Sequence, residues 1–337
     1  MDFKKHLINL RNEYLRNQNS RQMAKSYRAD SSSAFSNFIL ASIPDCHLAP
    51  LAICNRHPRV NTYVIGNGIS DQQFEWLKEK CAPVPVIKLL ASMRKGRPTY
   101  LAHGELITMA NKVSRGDFCI QDADLFVMDK SWWENMLEMT SDSYALGPYD
   151  KPFAHLDGVL PDTFVVRIQQ ELYRKLTAQY NISPDVGKAI SSEMATLLQS
   201  NKLDPTTYCA EQGKTYNDTL HYYWSAANIE GYSMQTCPGA EELTFHVGGT
   251  SYITGADIQD PSHWDYWPVN TVYFNLKLAE APFYREFQGA FKILKEKHHS
   301  AQALIEKYPE YLKSKRYKSS QKIFRAFANK LGADLSA

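Results

Sequence analysis

Between residues 37 and 139, short apolar runs alternate with segments whose apolar residues have helical spacing. The apolar runs, each of strand length, occupy residues 37–44, 59–68, 84–90 and 118–128. The segments with helical spacing occupy residues 70–81, 99–116 and 131–139. Ser70-Asp71 and Ser131 are typical of helix N-termini, and Gly116 ends the second helical segment. This alternation predicts an α/β fold in which a mostly parallel, Rossmann-like sheet is flanked by helices.

The rest of the chain has a more mixed pattern. Strands are predicted over 143–150 and 241–252, a strand followed by a helix over 162–180, and helices over 1–30, 185–201, from about Asp218, and in the C-terminal tail. We therefore expect a helical extension at each end, residues 1–34 and 276–337. The central domain, 35–275, is expected to consist of two halves, 35–130 and 131–275.

Charge is distributed unevenly over the 337 residues. Residues 1–30 carry a net charge of +4 and residues 281–337 a net charge of +7, which leaves −9 for residues 31–280. Basic ends suit an anionic surface such as lipid head groups, and a solvated helix face is the alternative. The acidic centre argues against a nucleic-acid binder.

We expect neither a membrane-spanning helix nor a signal peptide. No run of 18 apolar residues is present, and the polar N-terminus lacks the apolar segment of a signal peptide. The six cysteines include no Cys-x-x-Cys pair, which fits a reducing compartment. We expect a cytoplasmic protein, with contact to the inner face of the membrane through its basic ends as a further expectation.

Two aspartates, Asp122 and Asp124, interrupt the apolar run 118–128. A buried carboxylate is costly unless it is paired or binds a cation, and ligands of such sheets bind at the carboxyl ends of the strands. Carboxylates suit Mg²⁺ or Mn²⁺, which are usually shared with substrate phosphates. His246, which precedes a Gly-Gly pair, is a candidate third ligand. The alternative is that these are structural residues of a strand edge or turn.

Four motifs follow one another along the chain. They are Asn67-Gly68-Ile69-Ser70-Asp71, Gly116-Asp117 followed by Asp122-Ala123-Asp124, Asn217-Asp218 before Gly231-Tyr232, and His246-Val247-Gly248-Gly249. In this order, over residues 37–252, they resemble the GT-A nucleotide-sugar glycosyltransferases, especially the inverting family 2 type. The resemblance implies a catalytic domain of GT-A fold that moves a sugar from a nucleoside-diphosphate donor of UDP or GDP type. It also implies a hydroxyl acceptor on a glycan or a lipid-linked glycan, as in polysaccharide biosynthesis.

The resemblance further implies a donor site. Asp124 and His246 would hold Mn²⁺ or Mg²⁺ on the diphosphate, and Asp122 would contact the ribose, the base or the metal. The remaining candidates for donor binding are Pro44, Asn67 (near the nucleobase), Asp71, Arg97 and Ala123.

On the acceptor side, the resemblance implies that Asp218 is the general base that deprotonates the hydroxyl. The family often has Glu-Asp where this chain has Asn217-Asp218, so Glu211 and Glu193 are substitute candidates. Trp264 and Trp267 are candidates for stacking on the acceptor sugar, and packing in the core is their alternative role.

Three other functions compete with an inverting transferase. A retaining transferase uses the same fold. A sugar-phosphate nucleotidyltransferase would carry a glycine-rich loop after the first strand, but LASIPDCHLAPLAI contains no glycine. A binding protein that kept the fold and lost turnover is the non-enzymatic alternative.

Overall fold

The computed structural model describes most of the first 246 residues. The described ranges are 3–28, 32–42, 45–94, 97–147, 150–152, 159–161, 164–185, 189–203 and 219–246, with short stretches between 302 and 321. The helices are Phe3–Ser26, Ala49–Ala52, Asp71–Lys80, His103–Val113, Ser131–Leu137, Gln170–Gln179, Ser192–Ser200, His221–Ile229 and Ala240–Leu243, with 3-10 turns at Cys46–Leu48 and Pro309–Lys313. The strands are β1 (Phe35–Ser42), β2 (Val60–Asn67), β3 (Val86–Leu89), β4 (Ser92–Arg94), β5 (Arg97–Thr99), β6 (Phe118–Asp122), β7 (Leu125–Val127), β8 (Ser143–Gly147), β9 (Asp150–Pro152), β10 (Val159–Pro161), β11 (Val165–Ile168), β12 (Ser233–Thr236) and β13 (Thr244–His246).

Seven strands form the main sheet in the order β12-β8-β11-β6-β1-β2-β3. β1 pairs in parallel with both β2 and β6, and β2 pairs in parallel with β3. β11 is antiparallel to both of its neighbours, whereas β12 is parallel to β8. β11 therefore runs against the other six strands, and the predicted mostly parallel α/β sheet is confirmed.

Both faces of the sheet are buried. All eight residues of β1 are buried, which fits the apolar stretch 38–41 within it. Along β6, Phe118 and Ile120 belong to one core cluster and Cys119 to another, because successive side chains of a strand point to opposite faces. The first cluster includes Tyr173 and Tyr223 from two helices, and the second is filled largely by Trp132 and Trp133.

The apolar run 118–128 is two strands and not one, which corrects the prediction from sequence. β6 ends at Asp122 within the main sheet. β7 begins at Leu125 and pairs with β13 in a separate two-stranded sheet. The two aspartates therefore occupy the place where the chain changes partners, which explains why polar residues interrupt the apolar run.

Other predicted boundaries also differ from the structure; for example, the helix expected over 185–201 spans Ser192–Ser200. The helix expected over 99–116 begins at His103, since residues 97–99 form β5. Ser131 does not cap its helix; instead, the Asp129 carboxylate accepts hydrogen bonds from the Ser131 amide at 3.0 Å and its hydroxyl at 2.9 Å. The segment expected to be extended from residue 241 begins with a helical turn, Ala240–Leu243, before β13.

The N-terminal helix packs on the sheet through its second half. The Asn19 amide donates to the Leu90 carbonyl at 3.0 Å and accepts from the Leu90 amide at 2.7 Å, and Met23 lies in the core. Arg16 pairs with Glu105 at 2.7 Å. Within the described part of the chain, no helix combines the length and apolar character needed to cross a membrane.

Gly104 allows helix His103–Val113 to approach the loop at Asp185 closely. A Cβ added at Gly104 would lie 2.5 Å from the Asp185 Cα and 2.6 Å from its amide nitrogen. We expect Gly104→Ala to destabilise the protein by about 1–3 kcal/mol, because backbone atoms must move, although alanine normally favours a helix.

Urea unfolding measures this effect, and Gly116→Ala is the matched control. A Cβ at Gly116 would meet no atom within 4 Å, so that variant should unfold like the native chain. Equal stability of the two variants would contradict the close contact.

Candidate metal centre

The candidate site lies at the carboxyl ends of β1 and β6. From β1 the chain continues to β2 and β3 on one side, and it returns to β6 on the other side. Such a reversal in strand order leaves a crevice beyond the carboxyl ends of the two central strands, where ligands of α/β sheets bind. Asp122 is the last residue of β6 and stands beside Leu40 of β1 in the strand register.

Asp122, Asp124 and His246 come together at this edge. One ligand atom from each lies within 4.8 Å of the other two. The Nε2 atom of His246 is 3.3 Å from Oδ1 of Asp124. Asp124 as a residue is only 4% exposed. Ligand atoms bound to one divalent cation at about 2.0–2.2 Å are separated by similar distances. This group of three residues can therefore bind a metal ion after a small adjustment.

Strand pairing brings the histidine to the aspartates. His246 stands opposite Leu125 in the β13–β7 register, directly after the turn that contains Asp124. The His246 ring also stacks on Phe164, with ring centres 4.1 Å apart and planes inclined by 20°. Phe164 in turn accepts a 2.7 Å hydrogen bond at its carbonyl from the Asp122 amide. The residue before β11 therefore supports two of the three candidate ligands.

Gln121 supports the turn between β6 and β7. Its buried side chain donates to the Leu125 carbonyl at 3.0 Å and so spans both aspartates. Its carbonyl oxygen accepts from the buried Asn37 amide on β1 at 2.8 Å. Neither Gln121 nor Asn37 was predicted from sequence, where the available signal is an amide side chain within each of two strands.

The electrostatics of the cluster favour a cation. The pKa of Asp122 is raised to about 6, chiefly by burial; His103 acts to lower it, Asp124 to raise it and His246 to lower it. The Oδ1 atom of Asp122 is buried and accepts no hydrogen bond from the residues that the structure describes. A bound cation would offset the cost of this buried carboxylate, and two carboxylates with one imidazole form a suitable ligand set for a divalent metal.

His103, which the sequence analysis also missed, lies beside the cluster. Its Nε2 atom is 3.5 Å from Oδ1 of Asp122, and its side chain is 37% exposed. Nothing in the local sequence sets this histidine apart, because the contact arises only when the helix packs beside β6.

Asn67 and Asp71, predicted to bind the donor, also lie near the carboxyl end of the sheet. The Asn67 amide is fully buried; it donates to the Leu101 carbonyl at 3.0 Å and accepts from the Leu101 amide at 2.8 Å. Asp71 is exposed and pairs with Lys88, which lowers the pKa of Asp71. Donor contacts by these two residues stay predictions.

The other predicted site residues have the following places. Ala123 is buried between the two aspartates, Arg97 begins β5, and Glu193 lies on helix Ser192–Ser200. Outside the described residues lie Pro44, Glu211, Asp218, Trp264 and Trp267.

No protein-family model and no curated protein sequence matches this chain. Among solved structures it is similar to the glycosyltransferase GlyE of Streptococcus pneumoniae TIGR4, with 13% identity and a TM-score of 0.35 over 61% of this chain and 45% of that chain. The apo form of the same enzyme gives 12% identity and a TM-score of 0.32 over 67% of this chain and 56% of that chain. The chain thus spans about half the length of these structures, and likeness at this level does not assign it to a family.

Proposed function

We propose that this protein is a metal-dependent glycosyltransferase that moves a sugar from a nucleoside-diphosphate donor to a hydroxyl acceptor. One observation carries the proposal: Asp122, Asp124 and His246 converge at the carboxyl ends of the central strands. A site of carboxylates open to a crevice suits a cation shared with the phosphates of a ligand. The order of the sequence motifs supports a sugar nucleotide as that ligand.

The proposed ligands divide the work at the donor side. Asp124 is the most buried of the three, and the short β7–β13 ladder holds His246 beside it, so these two residues would hold a Mn²⁺ or Mg²⁺ ion. Asp122 would complete the set or contact the ribose. When bound, the cation neutralises charge that develops on the departing nucleoside diphosphate. Asn67, Asp71, Arg97, Pro44 and Ala123 are the further residues proposed for the donor side.

The acceptor side rests on the sequence motifs. We assign the general base to Asp218, with inversion at the anomeric carbon, and stacking on the acceptor sugar to Trp264 and Trp267. A general base must reach the acceptor hydroxyl and stay ionised at neutral pH. A glycan or lipid-linked glycan is the proposed acceptor, and the basic ends are proposed to contact anionic lipid.

Isothermal titration of UDP, GDP and CDP tests the donor site. We expect one nucleotide to bind in Mn²⁺ and to lose its binding in EDTA, because the diphosphate needs the cation. Asp124→Ala should abolish this binding, since it removes the most buried of the three candidate ligands.

Asp142→Ala is the matched control, because it removes an exposed carboxylate between helix Ser131–Leu137 and β8. It should bind the nucleotide as the native chain does. Absence of binding for all three nucleotides, with and without metal, would contradict the proposed function. If one nucleotide binds, metal-dependent hydrolysis of the sugar nucleotide with the same base would distinguish an enzyme from a binding protein.

A further inference from the structure

One oxygen of the Asp122 carboxylate accepts no hydrogen bond from the residues that the structure describes. This oxygen, Oδ1, is buried, whereas the side chain as a whole is 21% exposed. Among the described residues, the His103 imidazole is a nearby group that can donate to it, with Nε2 at 3.5 Å. Hydrogen bonds between nitrogen and oxygen span about 2.7–3.2 Å, so a shift of roughly half an ångström would form one.

His103 is held at its backbone and has room at its ring. It is the first residue of helix His103–Val113, and the next residue, Gly104, packs directly against the Asp185 backbone. The ring itself is 37% exposed, so it can turn toward Asp122 without displacing core side chains. A neutral imidazole that carries its proton on Nε2 is a sufficient donor, so the contact requires no protonation of His103.

His103 differs from the three candidate ligands in position. The cluster whose ligand atoms all lie within 4.8 Å of one another contains Asp122, Asp124 and His246, without His103. His103 therefore contacts the edge of the cluster through Asp122. Carboxylates that bind metals are themselves hydrogen-bonded, and loss of such a supporting bond typically costs about 10–100-fold in metal affinity.

We propose that His103 is a positioning residue, which donates a hydrogen bond from Nε2 to Oδ1 of Asp122 and leaves the other oxygen to the metal. The inference rests on the proposed metal site and adds a fourth residue to it. In this role His103 fixes the orientation of the carboxylate and stabilises its negative charge. His103 supports binding of the cation without touching it.

Titration of the purified full chain with Mn²⁺ alone tests the inference. We expect His103→Ala to bind Mn²⁺ about 10–100-fold more weakly than the native chain. His103→Gln should recover much of the loss, because the glutamine amide nitrogen can donate from nearly the same place. The unfolding midpoint in EDTA should be the same for all three proteins, which separates positioning from stability.

His57→Gln is the matched control. His57 also pairs with a carboxylate, Glu134, at 2.7 Å, but it lies next to the amino end of β2, away from the cluster. This variant should bind Mn²⁺ like the native chain. If the native chain binds Mn²⁺ and His103→Ala binds it equally well, the inference is overturned and the metal site stands. If the native chain binds no Mn²⁺, the metal site itself is overturned. Loss of nucleotide binding by His103→Ala at unchanged Mn²⁺ affinity would assign His103 to the ligand and also overturn the inference.

Discussion

Asp122→Asn is expected to stabilise the metal-free protein at neutral pH and to remove most of its affinity for metal. In the folded chain the pKa of Asp122 is about 6, against an ordinary value of 3.8. The ionised carboxylate therefore costs up to about 3 kcal/mol of folding free energy, and its partial exposure reduces the expected gain to about 1–3 kcal/mol. Metal affinity should fall by more than the roughly 10–100-fold that loss of a supporting residue costs.

The sign of the pH dependence follows from the two pKa values. Well below pH 3.8 Asp122 is protonated in the folded and unfolded chains, so it costs nothing. As the pH rises from 3.8 to above 6, the unfolded chain releases the proton first, and the native protein loses stability relative to Asp122→Asn. Urea unfolding in EDTA at pH 4.5 and pH 7.5 measures the difference, which should be clearly smaller at the lower pH.

Asp142→Asn is the control for this result. Asp142 is exposed, and the Thr140 hydroxyl that donates to it lowers its pKa. Asp142→Asn should therefore be no more stable than the native chain. A native chain that is more stable than Asp122→Asn at pH 7.5 in EDTA would show that the carboxylate has a strong partner within the protein.

Gln121→Leu is expected to lower both stability and metal affinity. The change leaves the Leu125 carbonyl and the Asn37 amide buried without a partner, and each such loss costs about 1–3 kcal/mol. The turn that contains both aspartates also loses its support, so we expect Mn²⁺ affinity to fall by roughly tenfold or more. Urea unfolding and Mn²⁺ titration measure the two effects separately.

Asn37→Leu separates stability from positioning. It removes the bond between β1 and β6 but keeps the bond from Gln121 to the Leu125 carbonyl. This variant should lose stability and retain Mn²⁺ affinity. Equal loss of affinity in Asn37→Leu and Gln121→Leu would show that the turn depends on general stability alone. The double variant completes a double-mutant cycle. The unfolding free energies should show a coupling of about 0.5–3 kcal/mol between the two residues.

The sheet was predictable from sequence because burial on two faces leaves a strong pattern. β1, β2 and β6 each appear as apolar runs, and the helices between them have caps or helical spacing. The break between β6 and β7 was not predictable, because an apolar run does not show where a strand changes its partner. The partner of β7 is β13, which is far away in sequence and short.

The candidate ligands were also partly predictable. Asp122 and Asp124 stood out because carboxylates are costly in an apolar run, and His246 because it precedes two glycines. Gln121 and His103 did not stand out, since single polar residues are common and their contacts depend on tertiary packing. The packing of one helix end beside β6 brings His103 to the site, and neither the helix nor the strand shows this by itself.

The pairing of β7 with β13 makes completion of the centre a late event in folding. The aspartates adjoin β6, which pairs with β1 across about 80 residues, whereas Leu125 and His246 pair across about 120 residues. Contacts between distant parts of a chain close slowly, because a large loop must be ordered first. During synthesis the aspartates leave the ribosome well before the histidine, and the three ligands meet only after the second half of the domain has joined the first. Affinity for a cation at the proposed site would therefore report whether that last ladder has formed.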